Sequence, residues 1–534
     1  MEKKYFGVML DCSRGAVMNV KHVKKFIDYI SSFGYNMLSL YTEDTYEIDG
    51  EARFGYLRGR YTKEELKEID AYAISKGVEV IPCVQTLAHL HQMFYWKEYA
   101  EINDCNDILL IGEEKTYELI EKMIKTSREC YSSNYINLGM DEAHFVGLGK
   151  YLSKNGYENR FSVLKKHLSR VMEIVKKYDY KPMMWSDMFF RLANDGDYYG
   201  YNMTDEARSS APKDMALIYW DYYHTNYEDF DRLIKAHQTF DNEIWFAGGV
   251  WTWSGFTPYN KYSLETMIPA MKALKNNDVK NVFLTMWGDD GKECSSFSVL
   301  SSLYKLKKIY DGVTDDEEIK KSFKEITGED FDAFEYLDAP DMVGDYELDS
   351  NPSKYLFYND LFMGIFDSTI KGTESKEYKN HAIKLKEYAK NSKFGYIFDN
   401  LSDLCMVLSL KADMGLRIRK AYKENDKKAL KGIVKDIITM LVYLDKFYDS
   451  FKILWHTENK AFGFEAHDIK IGGLIARINT CKKKLEKYIK GDISKIEEIE
   501  EVILDFETAK KEYTKKHVRF NSYRRTVSSN FIAW

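Results

Sequence analysis

The sequence predicts an α/β protein: a (β/α)8 TIM barrel followed by an all-α helical domain. Three observations predict it. Eight short apolar runs recur before about residue 312, and amphipathic segments at helical spacing separate them. Beyond that point the strand-like runs stop, and lysine- and glutamate-rich helical patterns take over. The expected domains are therefore a barrel over residues 1–312 and a helical C-terminal domain over 313–534.

The strand-like runs fall at 5–10, 37–41, 79–84, 135–139, 183–185, 216–220, 244–248 and 281–286. Their unbroken apolar character fits strands covered on both faces, as in a parallel sheet. Behind the first run, Asn19 is an expected N-cap for a helix carrying Val20, Val23, Phe26, Ile27 and Ile30 on one face. Thr62 with Glu65 three residues on is a capping-box signature, followed by Leu66, Ile69, Tyr72 and Ala73. Gly34 and Gly77 stand where helix-ending glycines belong. Further helical patterns cover 116–130, 161–178, 227–240, 264–274 and 297–310. The stretch 198–212 is irregular and makes the fifth-to-sixth connection the weakest unit.

An open doubly wound sheet is the alternative. It calls for a glycine-rich phosphate turn after the first strand, but Asp11-Cys12-Ser13-Arg14-Gly15 lacks that spacing. In the C-terminal part, long helices are expected at 401–414, 427–449, 471–488 and 493–515. A loop is expected over 338–352, where two prolines fall among Asp, Gly and Ser.

Composition narrows the function classes. The chain has 534 residues and a net charge of -7, so no nucleic-acid or polyanion partner is indicated. Local runs such as Lys482-Lys483-Lys484 read as solvated helix faces. Seven cysteines (12, 83, 105, 130, 294, 405 and 481) show no CxxC pair, which favours free buried thiols over a disulfide framework or zinc site. No charged region followed by an apolar one precedes the first strand. No stretch approaches the ~18–20 apolar residues of a membrane span. A cytoplasmic protein with no membrane partner is expected. Aromatics reach 15%, with 41 Tyr and 9 Trp, and flat aromatic faces suit sugar rings.

A barrel of this type gathers its chemistry at the C-terminal ends of its strands. Polar and aromatic residues cluster there in order. The ends read Asp11-Cys12-Ser13-Arg14, Tyr41-Thr42-Glu43-Asp44 and Gln85-Thr86-Leu87-Ala88-His89. They continue as Asp141-Glu142, Trp185-Ser186-Asp187, Trp220-Asp221-Tyr222-Tyr223, Trp251-Thr252-Trp253 and Trp287-Gly288-Asp289-Asp290. Carboxylates serve hydroxyl groups and proton transfer, and indoles serve as walls, so the pattern describes a carbohydrate site. A helix-terminus role remains the structural reading of Asp141 and Glu142 taken alone.

In this order of strand ends, residues 5–312 resemble glycoside hydrolase family 20, the exo-β-N-acetylhexosaminidases. The motifs are an Arg after strand one, an acid pair after strand two, and a His after strand three. Gly139-Met140-Asp141-Glu142-Ala143-His144 follows at strand four, then Trp after strands five and six, and Trp-x-acid after strand eight. The phrases around Tyr41, Gln85, Gly139 and Trp220 are similar to a compact branch in which the barrel is followed by a helical domain. Most members carry a non-catalytic α/β domain before the barrel; here strand one begins almost at Met1.

The resemblance implies a retaining hydrolase of terminal β-linked GlcNAc or GalNAc that uses the substrate's acetamido oxygen as nucleophile. It implies a small-molecule oligosaccharide partner, no cofactor and no metal. Glu142 would be the general acid and then base, kept protonated by burial and by the Asp141 charge. Asp141 would orient the acetamido N–H and stabilise the oxazolinium intermediate. Arg14 would grip the 3- and 4-hydroxyls with its fork of donors, with a structural pair to Asp11 as the other reading. Asp289 would accept from the 4- or 6-hydroxyl. Trp185, Trp220, Trp253 and Trp287 would wall the pocket.

The family's acetamido-binding tyrosine has no counterpart at strand seven, where the sequence is Phe246-Ala247-Gly248-Gly249-Val250-Trp251; Tyr222 or Tyr223 is expected instead. His89 would support the catalytic acids by pairing with Asp44, or else with Glu43. His91 and His144 are read as structural.

Three other readings compete. His89-Leu90-His91 with Asp141 and His144 resembles a metal-dependent hydrolase's ligand set, but such a pair belongs after strand one. Asp141-Glu142-Ala143-His144 spells a helicase box, but no P-loop precedes it. A non-catalytic glycan-binding protein is the third, and the presence of both acids argues against it. The segment 455–464 is read as a domain-packing loop, with reach into a neighbouring subunit's site in a homodimer as the alternative.

Overall fold

The computed structural model describes residues 3–344, 346–506 and 518–531. It divides into two compact units. The first comprises Met1–Val250, Ser263–Met286 and Leu303–Thr314; the second comprises Trp251–Tyr262, Trp287–Ser302 and Asp315–Trp534.

The first unit holds a closed barrel of eight parallel strands. These are β1 (Phe6–Asp11), β2 (Met37–Tyr41), β3 (Glu79–Cys83) and β4 (Tyr135–Asn137). They continue as β5 (Lys181–Trp185), β6 (Ala216–Trp220), β7 (Ile244–Gly249) and β8 (Asn281–Met286). Each pairs with its sequence neighbour, and β8 closes on β1 with Met9 opposite Thr285 and Leu10 opposite Met286. Closure rules out the open doubly wound sheet.

The local helix signals hold. Asn19 accepts the His22 N–H at the start of Val20–Ser32, and the Thr62–Glu65 capping box opens Lys63–Ser75. Gly34 and Gly77 take positive φ at the ends of those two helices. The irregular fifth connection contains two short helices, Asp187–Ala193 and Asp205–Ser210. A two-strand antiparallel ribbon, Asn103–Cys105 with Ile108–Leu109, has no counterpart in the sequence reading.

β4 ends earlier than its apolar run. Gly139 and Met140 both have φ near +70°, and Glu142 has φ +51°, so the chain leaves strand geometry before the acids. A Cβ on Gly139 would lie 2.0 Å from the Gln85 Oε1 atom, so only glycine fits this turn. Some barrel hydrogen bonding persists past β4: Leu138 N–H reaches the Met183 carbonyl, and Trp185 N–H reaches that of Gly139. The strand reading over 135–139 is therefore corrected at its end. The cause is a turn that aims the next two side chains.

The second unit is helical. Glu374–Ala389, Gly395–Lys411, Lys427–Glu458 and Phe464–Lys490 pack in succession. Phe447, Phe451, Trp455 and Phe464 are buried between the last two. The segment 455–464, expected to be a domain-packing loop, is helical up to Glu458 and again from Phe464, with Trp455 fully buried. Of the helix expected at 493–515, the structure has a single turn, Glu497–Glu500; residues 507–515 lie outside the described residues. All seven cysteines are free thiols. Among the described residues, no helix is long and apolar enough to cross a membrane.

Candidate active site

The C-terminal ends of β1 to β4 bring a charged cluster together. Asp141, which follows the glycine turn, is buried. One of its carboxylate oxygens accepts the Gln85 side-chain N–H at 2.9 Å; the other lies 3.1 Å from His89 Nε2. The Gln85 amide also donates to the Tyr41 hydroxyl at 2.8 Å and accepts the Met140 N–H at 3.2 Å. One side chain thus ties β2, β3 and the β4 turn to the first acid.

Burial raises the Asp141 carboxyl, but the His89 charge, the contact with His89 and the Gln85 hydrogen bond outweigh it and hold the group below the usual range. His89 shows the reciprocal effect. Burial favours its neutral ring, yet Asp141, with a smaller contribution from Glu43, pushes it up to about 9 against the opposing charge of Arg14. The pair is an imidazolium–carboxylate pair at neutral pH.

Glu142 differs from its neighbour. Its side chain retains 39% exposure, so the burial expected from the sequence is not found. Two cations flank it: His89 Nε2 at 3.7 Å and Arg191 at 3.5 Å. Its backbone N–H donates to Asp187 at 2.9 Å.

Arg14 is about one-third exposed and meets Glu43 at 3.2 Å, while Asp11 is more distant at 4.0 Å. Asp11 is occupied by the backbone and hydroxyl of Ser13. Glu43 also accepts from Tyr41 at 3.2 Å. Burial raises its carboxyl, against the charges of Arg14 and His89. The expected pairing of His89 with Asp44 is corrected. Asp44 is held by Arg58 at 2.9 Å, and this guanidinium takes it away from the imidazole. Glu43 is the member of the acid pair that feels His89.

The aromatic residues fall into two groups. Trp185 is 1% exposed and packs against Phe283, so it presents no open wall in this structure. Trp220 and Tyr222 are stacked at 5.3 Å with planes 19° apart, and Tyr198 covers Trp220 at 4.4 Å. Asp221 between them is wholly buried, accepting from Tyr219 at 2.6 Å and contacting His224 Nδ1 at 2.7 Å, which anchors the loop. Tyr223 is more exposed than Tyr222.

Trp253, Trp287 and Asp289 belong to the second unit. There Trp253 stacks on Trp251 at 4.1 Å, Trp287 is half-buried and Asp289 is exposed. The turn behind Asp289 is fastened within that unit. Asp290 lies 3.3 Å from Lys354 and 3.1 Å from Lys470, and Glu293 lies 2.7 Å from Lys354.

His91 and His144 are exposed, and among the described residues no three His, Cys, Asp or Glu side chains converge as a metal-ligand set. Sequence reasoning missed Gln85, Arg58, Asp187 and Arg191 as participants. The signal for the last two was present: Asp187 at the β5 end, with Arg191 one helical turn on.

Two family models match the chain, one over the barrel with its Asp–Glu turn and one over the helical part. "Glycosyl hydrolase family 20, catalytic domain" matches residues 4–236, and "Glycoside Hydrolase 20C C-terminal domain" matches residues 329–519. The chain belongs to glycoside hydrolase family 20.

Among curated proteins, it is 24% identical to Hexosaminidase D of Homo sapiens over 218 residues, covering 39% of this chain and 43% of that protein. Hexosaminidase D of Bos taurus is 23% identical over 218 residues, covering 39% and 60%. The chain's matches thus span about half the length of these relatives. Among solved structures, the Flavobacterium johnsoniae chitobiase is similar with a TM-score of 0.47 and 14% identity, covering 84% of this chain and 78% of that one.

Proposed function

We propose that this protein is a retaining exo-β-N-acetylhexosaminidase. It removes terminal β-linked GlcNAc or GalNAc from oligosaccharides or glycoconjugates by substrate-assisted catalysis. The observation that carries this reading is the unequal environment of two adjacent acids. Asp141 is buried, ionised and fixed by Gln85 and His89, while Glu142 is half-exposed at the barrel mouth. Two carboxylates with different surroundings can take different roles.

In this reading the acetamido carbonyl oxygen attacks the anomeric carbon as the glycosidic C–O bond breaks. Glu142 gives its proton to the leaving oxygen. Asp141 accepts the acetamido N–H and offsets the positive charge of the oxazolinium. Water then loses a proton to the Glu142 carboxylate, and its oxygen attacks the anomeric carbon. This reopens the ring with configuration retained.

Arg14, braced by Glu43, binds the sugar hydroxyls. Trp220 and Tyr222 offer an aromatic face, with the Tyr222 hydroxyl as partner for the acetamido carbonyl. The roles of Trp253, Trp287 and Asp289 rest on their order in the family pattern. Seven free thiols favour a reducing, cytoplasmic setting.

The test is an activity panel on aryl β-GlcNAc, aryl β-GalNAc and the unacetylated glucosaminide, with a thiazoline mimic of the oxazolinium. The expected result is turnover of the acetylated substrates alone and inhibition by the thiazoline. Equal turnover of the unacetylated glycoside, or indifference to the thiazoline, would refute substrate assistance. No turnover of any glycoside would favour the glycan-binding reading.

A further inference from the structure

We infer that Asp187 and Arg191 are positioning residues that set the orientation and proton affinity of Glu142, an inference that rests on Glu142 being the proton donor. Both lie on the short helix Asp187–Ala193 that follows β5, one turn apart. Asp187 accepts the Glu142 backbone N–H at 2.9 Å and the Arg191 Nε–H at 3.2 Å through the same oxygen. Arg191 then extends to the Glu142 carboxylate at 3.5 Å. Glu142 is thus held at both its backbone and its side chain by one helical turn.

The backbone contact has a clear purpose. Glu142 sits at φ +51° and Met140 at φ +70°, conformations that strain a non-glycine residue and need outside support. The Asp187 carboxylate supplies that support from the adjacent strand end.

The charge arrangement has a second consequence. Asp187 is wholly buried, and its other oxygen has no hydrogen-bond partner among the described residues. Burial pushes its carboxyl up to about 7, helped by the charges of Asp141 and Glu142, against the Glu142 N–H and Arg191. The charged or titratable groups around the trio are Asp141, His89, His144 and Tyr198.

Arg191 is shared between two carboxylates. An ionised Asp187 offsets part of the Arg191 charge that faces Glu142. A neutral Asp187 offsets none of it. The charge of Asp187 therefore tunes the donor without touching substrate.

The test uses the full chain with an aryl β-N-acetylglucosaminide. Asp187→Asn keeps an acceptor for the Glu142 N–H but removes the negative charge. Its alkaline limb of kcat/KM is expected to move to lower pH by about half a unit or more. Arg191→Met removes the cation, and its limb is expected to move to higher pH. Arg191→Lys restores part of the wild-type position. In Asp187→Asn and Arg191→Met, kcat should fall by about tenfold or more with KM changed less than about threefold, since the contacts act on the donor rather than on substrate.

Limbs that stay in place, or that move in the same direction in both variants, would overturn the inference. Carboxyl 13C titration of Glu142 gives a readout that needs no turnover, and opposite displacements are expected there too. If the wild type turns over no aryl glycoside, the functional reading fails while this titration still decides the positioning role. If Asp187→Asn does not fold, the two Arg191 variants decide it.

Discussion

His89 Nε2 stands 3.1 Å from the Asp141 carboxylate, joining the β3 and β4 ends of the barrel. The imidazole is raised from its ordinary 6.5 to about 9 in the folded protein. A raised folded value means its stabilising contribution is complete below about 6.5 and is lost as pH rises through about 9. Asp141, held below its ordinary 3.8, contributes above that value and loses its contribution as pH falls through the lower folded one. Urea unfolding of wild type and His89→Gln at pH 6 and pH 9.5 should show the wild-type advantage shrinking at the higher pH, by on the order of 2–3 kcal/mol. An advantage independent of pH would contradict the pairing.

Glu142→Gln should lower kcat on an aryl β-N-acetylglucosaminide by about 10²–10⁴-fold, the usual worth of a general acid–base. Asp141→Asn should lose a similar factor while binding the thiazoline more weakly, because Asp141 contacts the ring nitrogen in the proposed mechanism. Unchanged turnover in Glu142→Gln would refute its role.

Arg14 follows the end of β1, about one-third exposed, with its guanidinium braced by Glu43 at 3.2 Å. Arg14→Ala should raise KM by about tenfold or more with a smaller effect on kcat, as a lost charged hydrogen bond predicts. Arg14→Lys should recover only part of the loss, because an ammonium lacks the planar fork. Initial-rate kinetics on both variants measure this.

Gly139→Ala places a methyl against Gln85 and strains a φ of +70°. The variant should lose about 2 kcal/mol or more of stability. It should also lose activity beyond what unfolding explains, since the displaced Gln85 amide orients Asp141. Thermal unfolding and kcat measured well below the melting temperature separate the two effects.

Much of the barrel is readable in the chain because its signals are local. Apolar runs matched β2, β6 and β8 residue for residue, and the Asn19 and Thr62 caps opened their helices as expected. Hydrophobic periodicity and capping depend on residues a few positions apart, so no tertiary knowledge is needed. The same locality misled within 455–464. Aromatic and polar residues there suggested a loop, but burial of Trp455 continues the helix through Glu458.

The order of strand ends also put Asp141, Glu142, Arg14 and His89 on the page. Their partners were a different matter. Nothing in the spacing distinguishes Glu43 from Asp44, and only the arrival of Arg58 at Asp44 separates them. Gln85 is 56 positions from Asp141 and Asp187 is 45 from Glu142, so their hydrogen bonds exist only once the barrel has closed.

The chain alone therefore determined which side chains stand at the strand ends, because strand and helix propensities are written locally. Only the tertiary structure decided which acid is buried, which is exposed and which cation each one faces. Burial and charge act through space, and the barrel sets that space.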